Sequence, residues 1–116
     1  MLGNDQSNTE RKYAPNTVGR QEFVDSMSRM AAEVWDFHNR FKIGSGQFEG
    51  QSATDIVANR TSILDEEFNE LAQAISEKEG DEAVANETAD ILFVAMGHAE
   101  AMGNLGIEGA DRVSNK

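Results

Sequence analysis

Residues 60–90, RTSILDEEFNELAQAISEKEGDEAVANETAD, decide how the rest of the chain is read. They carry two acidic clusters, Glu66-Glu67-Phe68-Asn69-Glu70 and Glu87-Thr88-Ala89-Asp90, on either side of a short turn at Glu79-Gly80-Asp81. At about 100° per residue, a helix brings Glu66, Glu67 and Glu70 within an arc of roughly 100°. Glu87 and Asp90, three apart, project together from one side of a second helix. If the two helices pair antiparallel, the acids meet across the seam. Like charges held that close repel unless a cation lies between them. A hard divalent ion bound through oxygen is the natural candidate. A solvated acidic rim is the competing reading, and the spacing alone leaves both open.

Two features bear on that choice. Glu87 and Asp90 adjoin Ile91-Leu92-Phe93-Val94-Ala95-Met96, the most apolar run in the chain, where an unpaired charge is expensive. The acids also come as i, i+3 pairs on consecutive helices. A carboxylate-bridged di-iron bundle would need Glu-x-x-His on two helices, whereas the two histidines, His38 and His98, do not follow a Glu at that spacing. No Asp-x-Asp-x-Asp-Gly loop is present, which excludes an EF-hand. Oxygen-only ligation favours Mg²⁺, with Mn²⁺ able to substitute, over iron or zinc.

Outward from this stretch, the pattern is helical throughout and the expected fold is all-α, a four-helix bundle. Residues 1–19 are polar, contain the one proline, Pro15, and read as a flexible tail; residues 20–116 read as one domain. Phe23, Met27, Met30, Val34, Phe37, His38 and Phe41 fall on one face of a first helix from Arg20 to Phe41. The span from Ile43 to Gln51 holds three glycines and reads as a connection or lid; it lacks the Gly-Lys-Ser/Thr ending of a phosphate loop. Ser52, with Asp55 three residues on, predicts the N-cap of a second helix running to about Lys78. Its stripe Leu64, Phe68, Leu71 and Ile75 is expected to face the core, flanked by the acids. A third helix, from about Glu82 to Met102, is apolar all round in its middle and is expected to be central and buried, with Gly103 closing it. A short fourth helix is expected over Gly106 to Lys116. His38 and His98 read as satisfied core histidines, and the methionines at 27, 30, 96 and 102 as packing. Trp35, beside His38 in space on the same helix, could stack on a base.

With 116 residues, 10 Lys plus Arg and 21 Asp plus Glu, the formal charge is −11. Such a surface repels nucleic-acid polymers, whose binders carry basic stripes. It repels a free nucleotide too, unless metal and a few local cations reverse the field at the site. No run approaches the roughly 18 apolar residues of a membrane span, the N-terminus lacks a signal-peptide pattern, and there is no cysteine for a disulfide or thiolate site. The expected location is cytoplasmic.

Glu66-Glu67-x-x-Glu70, a 16-residue gap and Glu87-x-x-Asp90 together resemble the EExxE…ExxD signature of the all-α nucleoside triphosphate pyrophosphohydrolases, which include MazG-like enzymes, dimeric dUTPases and phosphoribosyl-ATP pyrophosphohydrolase. The likeness extends to Phe37-His38-x-x-Phe41, Arg60, Gly97, Gly103 and Val113-Ser114-Asn115-Lys116, so it covers residues 22–116. The resemblance implies a Mg²⁺-dependent enzyme that hydrolyses a (deoxy)nucleoside triphosphate between its α and β phosphorus atoms. It implies metal ligation by Glu67, Glu70, Glu87 and Asp90. Glu66 would complete a second metal shell or, like Glu67, take part in catalysis by orienting water. Arg60 and Lys116 would clamp phosphate, Asn115 would touch phosphate or sugar, and Trp35 and His38 would contribute to substrate binding. Homodimers or homotetramers formed through the helices are implied as well. The alternatives are a catalytically silent metal-binding assembly module or, within the family, a dUTPase-like or phosphoribosyl-ATP enzyme.

Overall fold

Four α-helices make up almost all of the computed structural model, which describes residues 16–116. They are α1 (Arg20–Arg40), α2 (Ala53–Ser76), α3 (Asp81–Ala101) and α4 (Asn104–Ser114), with one 3₁₀ turn, Ser45–Gln47, between α1 and α2. Among the described residues there is no strand, so the chain is an all-α bundle of the kind its periodicity predicts. Of the expected polar tail, residues 1–15 lie outside the described residues. By contacts the chain divides into two compact units, Met1–Met30 and Ala31–Lys116. In the first, the start of α1 leaves Phe23 and Val24 exposed. The site lies in the second.

Local chemistry sets the ends of α2 and α3 close to where the sequence places them, whereas α4 starts at Asn104, two residues before the expected Gly106. The Ser52 hydroxyl accepts from the Asp55 backbone N–H at 3.1 Å and caps α2. Asp81 and Glu82 occupy the first turn of α3, complementing its dipole. Gly103, at φ +65°, reverses the chain between α3 and α4 in a conformation that a Cβ would strain. The Gly103 N–H donates to the Glu100 carbonyl, satisfying one of the end carbonyls of α3.

α2 and α3 run antiparallel as the main packed pair, with α4 and the 3₁₀ turn against α3. The fully buried apolar side chains are small in number and size: Val34 of α1, Ile56 and Ala74 of α2, Ala101 of α3. Phe37 reaches α3 edge-on at Phe93, ring centroids 5.9 Å apart, and stacks tilted on Phe41 at 4.9 Å. α4 comes unusually close: a Cβ on Gly106 would stand 2.0 Å from the Ala99 carbonyl oxygen, so only glycine permits this approach.

Two packing expectations are corrected. The inward line of α2 runs through Ile56, Arg60, Leu64, Glu67, Leu71 and Ala74, so of the expected stripe Leu64 and Leu71 turn inward and Phe68 and Ile75 do not. Phe68 and Ile75, at the outer edge of the stripe, are left 51% and 59% exposed. Glu67 therefore sits in the seam and not beside it. Likewise α3 is not buried all round: Leu92 and Ala95 face outward while Ile91, Phe93, Val94 and Met96 are half-buried. α2 covers one side of α3 and α4 another, and the strip between them is left bare.

Candidate metal and phosphate site

The antiparallel pairing of α2 and α3 brings Glu67 and Glu70 against Glu87 and Asp90. One carboxylate oxygen from each lies within 4.8 Å of all the others. Glu67 and Glu87 are half-buried, Glu70 and Asp90 exposed, so the cluster opens to solvent on one side. The inner oxygens Oε1 of Glu67 and Oε1 of Glu87 are buried without a hydrogen-bond partner. Among the described residues no Arg, Lys or His pairs with these four acids. Buried unpartnered carboxylate oxygens are costly and rare. Their electrostatics follow. Burial, and then the charges of Glu70, Asp90, Glu66 and Glu87, push the Glu67 carboxyl above its ordinary range. Burial, then Glu70 and Asp90, do the same to Glu87.

The residues fit a divalent cation. Four carboxylates converge, Glu67 and Glu87 each hold one buried oxygen without a hydrogen-bond partner, and among the described residues no cation pairs with them. Glu66, exposed on the neighbouring position of α2, supplies no atom to the four-oxygen group but is close enough to act electrostatically on Glu67.

A second polar layer lies seven residues along each helix, about 10 Å from the acids at 1.5 Å per residue. Arg60 of α2 meets Gly97 and His98 of α3. A Cβ on Gly97 would stand 3.0 Å from Nη2 of Arg60 and 2.9 Å from Nε2 of His38, so both tips rest on the bare α3 backbone. His38 is buried, and its Nδ1 lies 2.6 Å from Oε1 of Glu100. Oε2 of Glu100 accepts from the Ser45 hydroxyl at 3.1 Å and the Ser45 backbone N–H at 3.3 Å. The start of the glycine-rich connection is thereby pinned to α3, not free as a lid would be.

His38 is thus the satisfied histidine expected. His98 is not. It is 8% exposed, and its Nε2 is buried without a partner. Burial, then the Arg60 charge, hold its imidazole below the ordinary value against an opposing hydrogen bond to the Arg60 backbone. Arg60 Nε is likewise buried and unpartnered.

Trp35 stands elsewhere. With Val34, Met96, Glu100, Asn104 and Ile107 it lines a cavity of about 430 Å³. The α3 residues of that cavity lie roughly 160° around the helix from Glu87 and Asp90. Asn115 and Lys116 are exposed at the end of α4.

The model of one protein family, described as phosphoribosyl-ATP pyrophosphohydrolase, matches residues 34–105, more than half of the chain and all of both polar layers. The chain belongs to the phosphoribosyl-ATP pyrophosphohydrolase family. That family is part of the MazG-like all-α superfamily, in accord with the four helices and the resemblance of the acidic signature. Neither the curated proteins nor the solved structures offer a match to the chain. The residue that the sequence reading passed over is Glu100, which bonds His38 and Ser45 and whose charge acts on Arg60. Its one signal in the sequence is that it is the first acid after the apolar run of α3.

Proposed function

We propose that the chain is a Mg²⁺-dependent nucleoside triphosphate pyrophosphohydrolase, converting a (deoxy)nucleoside triphosphate to monophosphate and pyrophosphate in a cytoplasmic nucleotide pool. The observation that carries this reading is the convergence of Glu67, Glu70, Glu87 and Asp90 with two buried, unpartnered oxygens and no cation of the protein among them.

On this reading those four residues hold Mg²⁺, or Mn²⁺ in its place. When bound, the ion neutralises the polyphosphate and makes a coordinated water more acidic. Glu66, exposed beside the cluster, orients the attacking water and accepts its proton, with Glu67 sharing that role from inside. The water oxygen bonds to phosphorus, the bridging P–O bond breaks, and pyrophosphate leaves. Arg60, two turns along α2, balances negative charge on the phosphate chain. His38 acts behind Arg60. On this reading Trp35, which lines its own cavity, and Asn115 and Lys116, exposed at the end of α4, serve substrate across a homodimer or homotetramer. The exposed Phe68, Ile75 and Leu92 are the apolar surface such an assembly would cover.

The family match favours one second reading, phosphoribosyl-ATP as the substrate. A panel of canonical and modified (d)NTPs together with phosphoribosyl-ATP, each with Mg²⁺ or Mn²⁺, separates the two. Pyrophosphate is measured apart from orthophosphate, and Glu67→Gln is the control. Turnover surviving in Glu67→Gln would refute the assigned site.

A further inference from the structure

Glu100 is the meeting point of three segments: α1 through His38, the 3₁₀ turn through Ser45, and α2 through the charge of Arg60. An ionised carboxylate only accepts hydrogen bonds, so Nδ1 of His38 carries the proton. The Nε2 edge of the same ring faces the spot on Gly97 where Arg60 Nη2 also rests. The Arg60 guanidinium is partly desolvated. Burial disfavours its charge, and Glu100 is the group that restores it. His98, by contrast, is repelled by the same cation.

We propose that Glu100 is a positioning residue that holds the His38 ring against the Arg60 tip on Gly97, so that Arg60 can grip the polyphosphate of the substrate. The inference rests on the proposed reading of Arg60 as a phosphate-binding group. It assigns the network a role that acid-cluster ligation alone does not require. Glu100 touches neither the acids nor the path of the water. Its loss therefore weakens substrate capture and leaves ion binding and the chemical step alone.

The test is a double-mutant cycle on the full chain with Glu100→Gln, Arg60→Ala and the pair, each folded by circular dichroism. Glu100→Gln is expected to raise KM for the best triphosphate about tenfold with kcat within about threefold, and to leave half-saturation by Mg²⁺ unchanged. Combined with Arg60→Ala it is expected to add nothing further. A wild-type KM in Glu100→Gln, or effects that multiply in the pair, would overturn the proposal. If Glu100→Gln fails to fold, Glu100→Asp replaces it; that variant keeps the charge but loses reach, and an unchanged KM there also overturns the idea. If the wild-type chain hydrolyses no triphosphate, the hydrolase reading fails by itself. The same cycle is then read as the Kd of a non-hydrolysable triphosphate with Mg²⁺: a weakening shared by Glu100→Gln and Arg60→Ala sustains the role of Glu100, and affinity untouched by Glu100→Gln, or absent in the wild type, ends it.

Discussion

His38 Nδ1 and Glu100 Oε1 stand 2.6 Å apart across 62 residues of chain, in an interior that offers the pair few other polar partners. This contact fastens the C-terminal half of α1 to α3. The apolar links alongside it, Phe37 with Phe93 and the buried Val34, are few. Replacing His38 with Ala removes the ring, opens a void and leaves one Glu100 oxygen with less to accept. A loss of about 2–4 kcal/mol is expected. Urea denaturation measures it, and a loss below half a kcal/mol would show the contact to be dispensable.

Charge relief at the acid cluster predicts a trade between stability and activity. Without metal, Glu67→Gln removes one of the crowded negative charges and should raise the thermal midpoint by a few degrees. The same variant should bind Mg²⁺ poorly and lose about 100-fold or more in turnover. Wild-type protein should instead gain about 2.7 kcal/mol when Mg²⁺ reaches about 100 times its Kd. Thermal melts with EDTA and with Mg²⁺ read both effects. A midpoint that falls in metal-free Glu67→Gln would contradict the crowding.

The pH dependence has a defined sign. Glu67 and Glu87 hold protons more tightly folded than unfolded. Their contribution is therefore fully present below the ordinary carboxylate pKa of about 4.3 and is lost as pH rises through the raised folded values. His98 works oppositely. Its folded pKa is depressed, so its contribution is present above the ordinary value of 6.5 and lost as pH falls through the folded one. In EDTA, Glu67→Gln should flatten the acid-side gain, and His98→Gln should remove the acid-side loss. Denaturation midpoints across pH 4–8 (roughly the range both groups span) would expose either sign as wrong.

Two glycines should differ in severity. A Cβ on Gly97 meets side-chain tips at 2.9 and 3.0 Å, of which the Arg60 end can shift and the His38 ring, held by Glu100, moves less easily. About 1–3 kcal/mol is expected for Gly97→Ala. At Gly106 the obstacle is the Ala99 backbone at 2.0 Å, so Gly106→Ala must push α4 away from α3 and should cost more. Equal midpoints for the two variants would show that α4 yields freely.

The helices, the Ser52 cap and the four clustered acids were legible because each rests on local spacing. A 3.6-residue period fixes which residues share a face, and i, i+3 carboxylates on two consecutive helices leave few alternatives. The rotation of α2 was not legible. Phe68 and Ile75 read as core because they are apolar, yet the seam is lined by Arg60 and Glu67, and hydrophobic periodicity points away from a face that carries charge. The Glu100 network was hidden for a different reason. Its partners come from three segments, and no pattern along the chain announces a contact between positions 38 and 100. The fate of His98, buried with a bare nitrogen, depends on the same tertiary placement of Arg60.

Arg60 and Glu67 are seven residues apart on one rod, and Asp90 and Gly97 seven apart on the rod beside it. Neither interval can stretch, because a helix changes length only by unwinding. On the proposed reading, a molecule that engages both ends is gauged by its span before anything about its base is consulted, and inserting or deleting a single residue within either interval would swing one end about 100° out of line. Diversity in what these helices accept has to come from side chains around the gauge, since its length is built into the backbone.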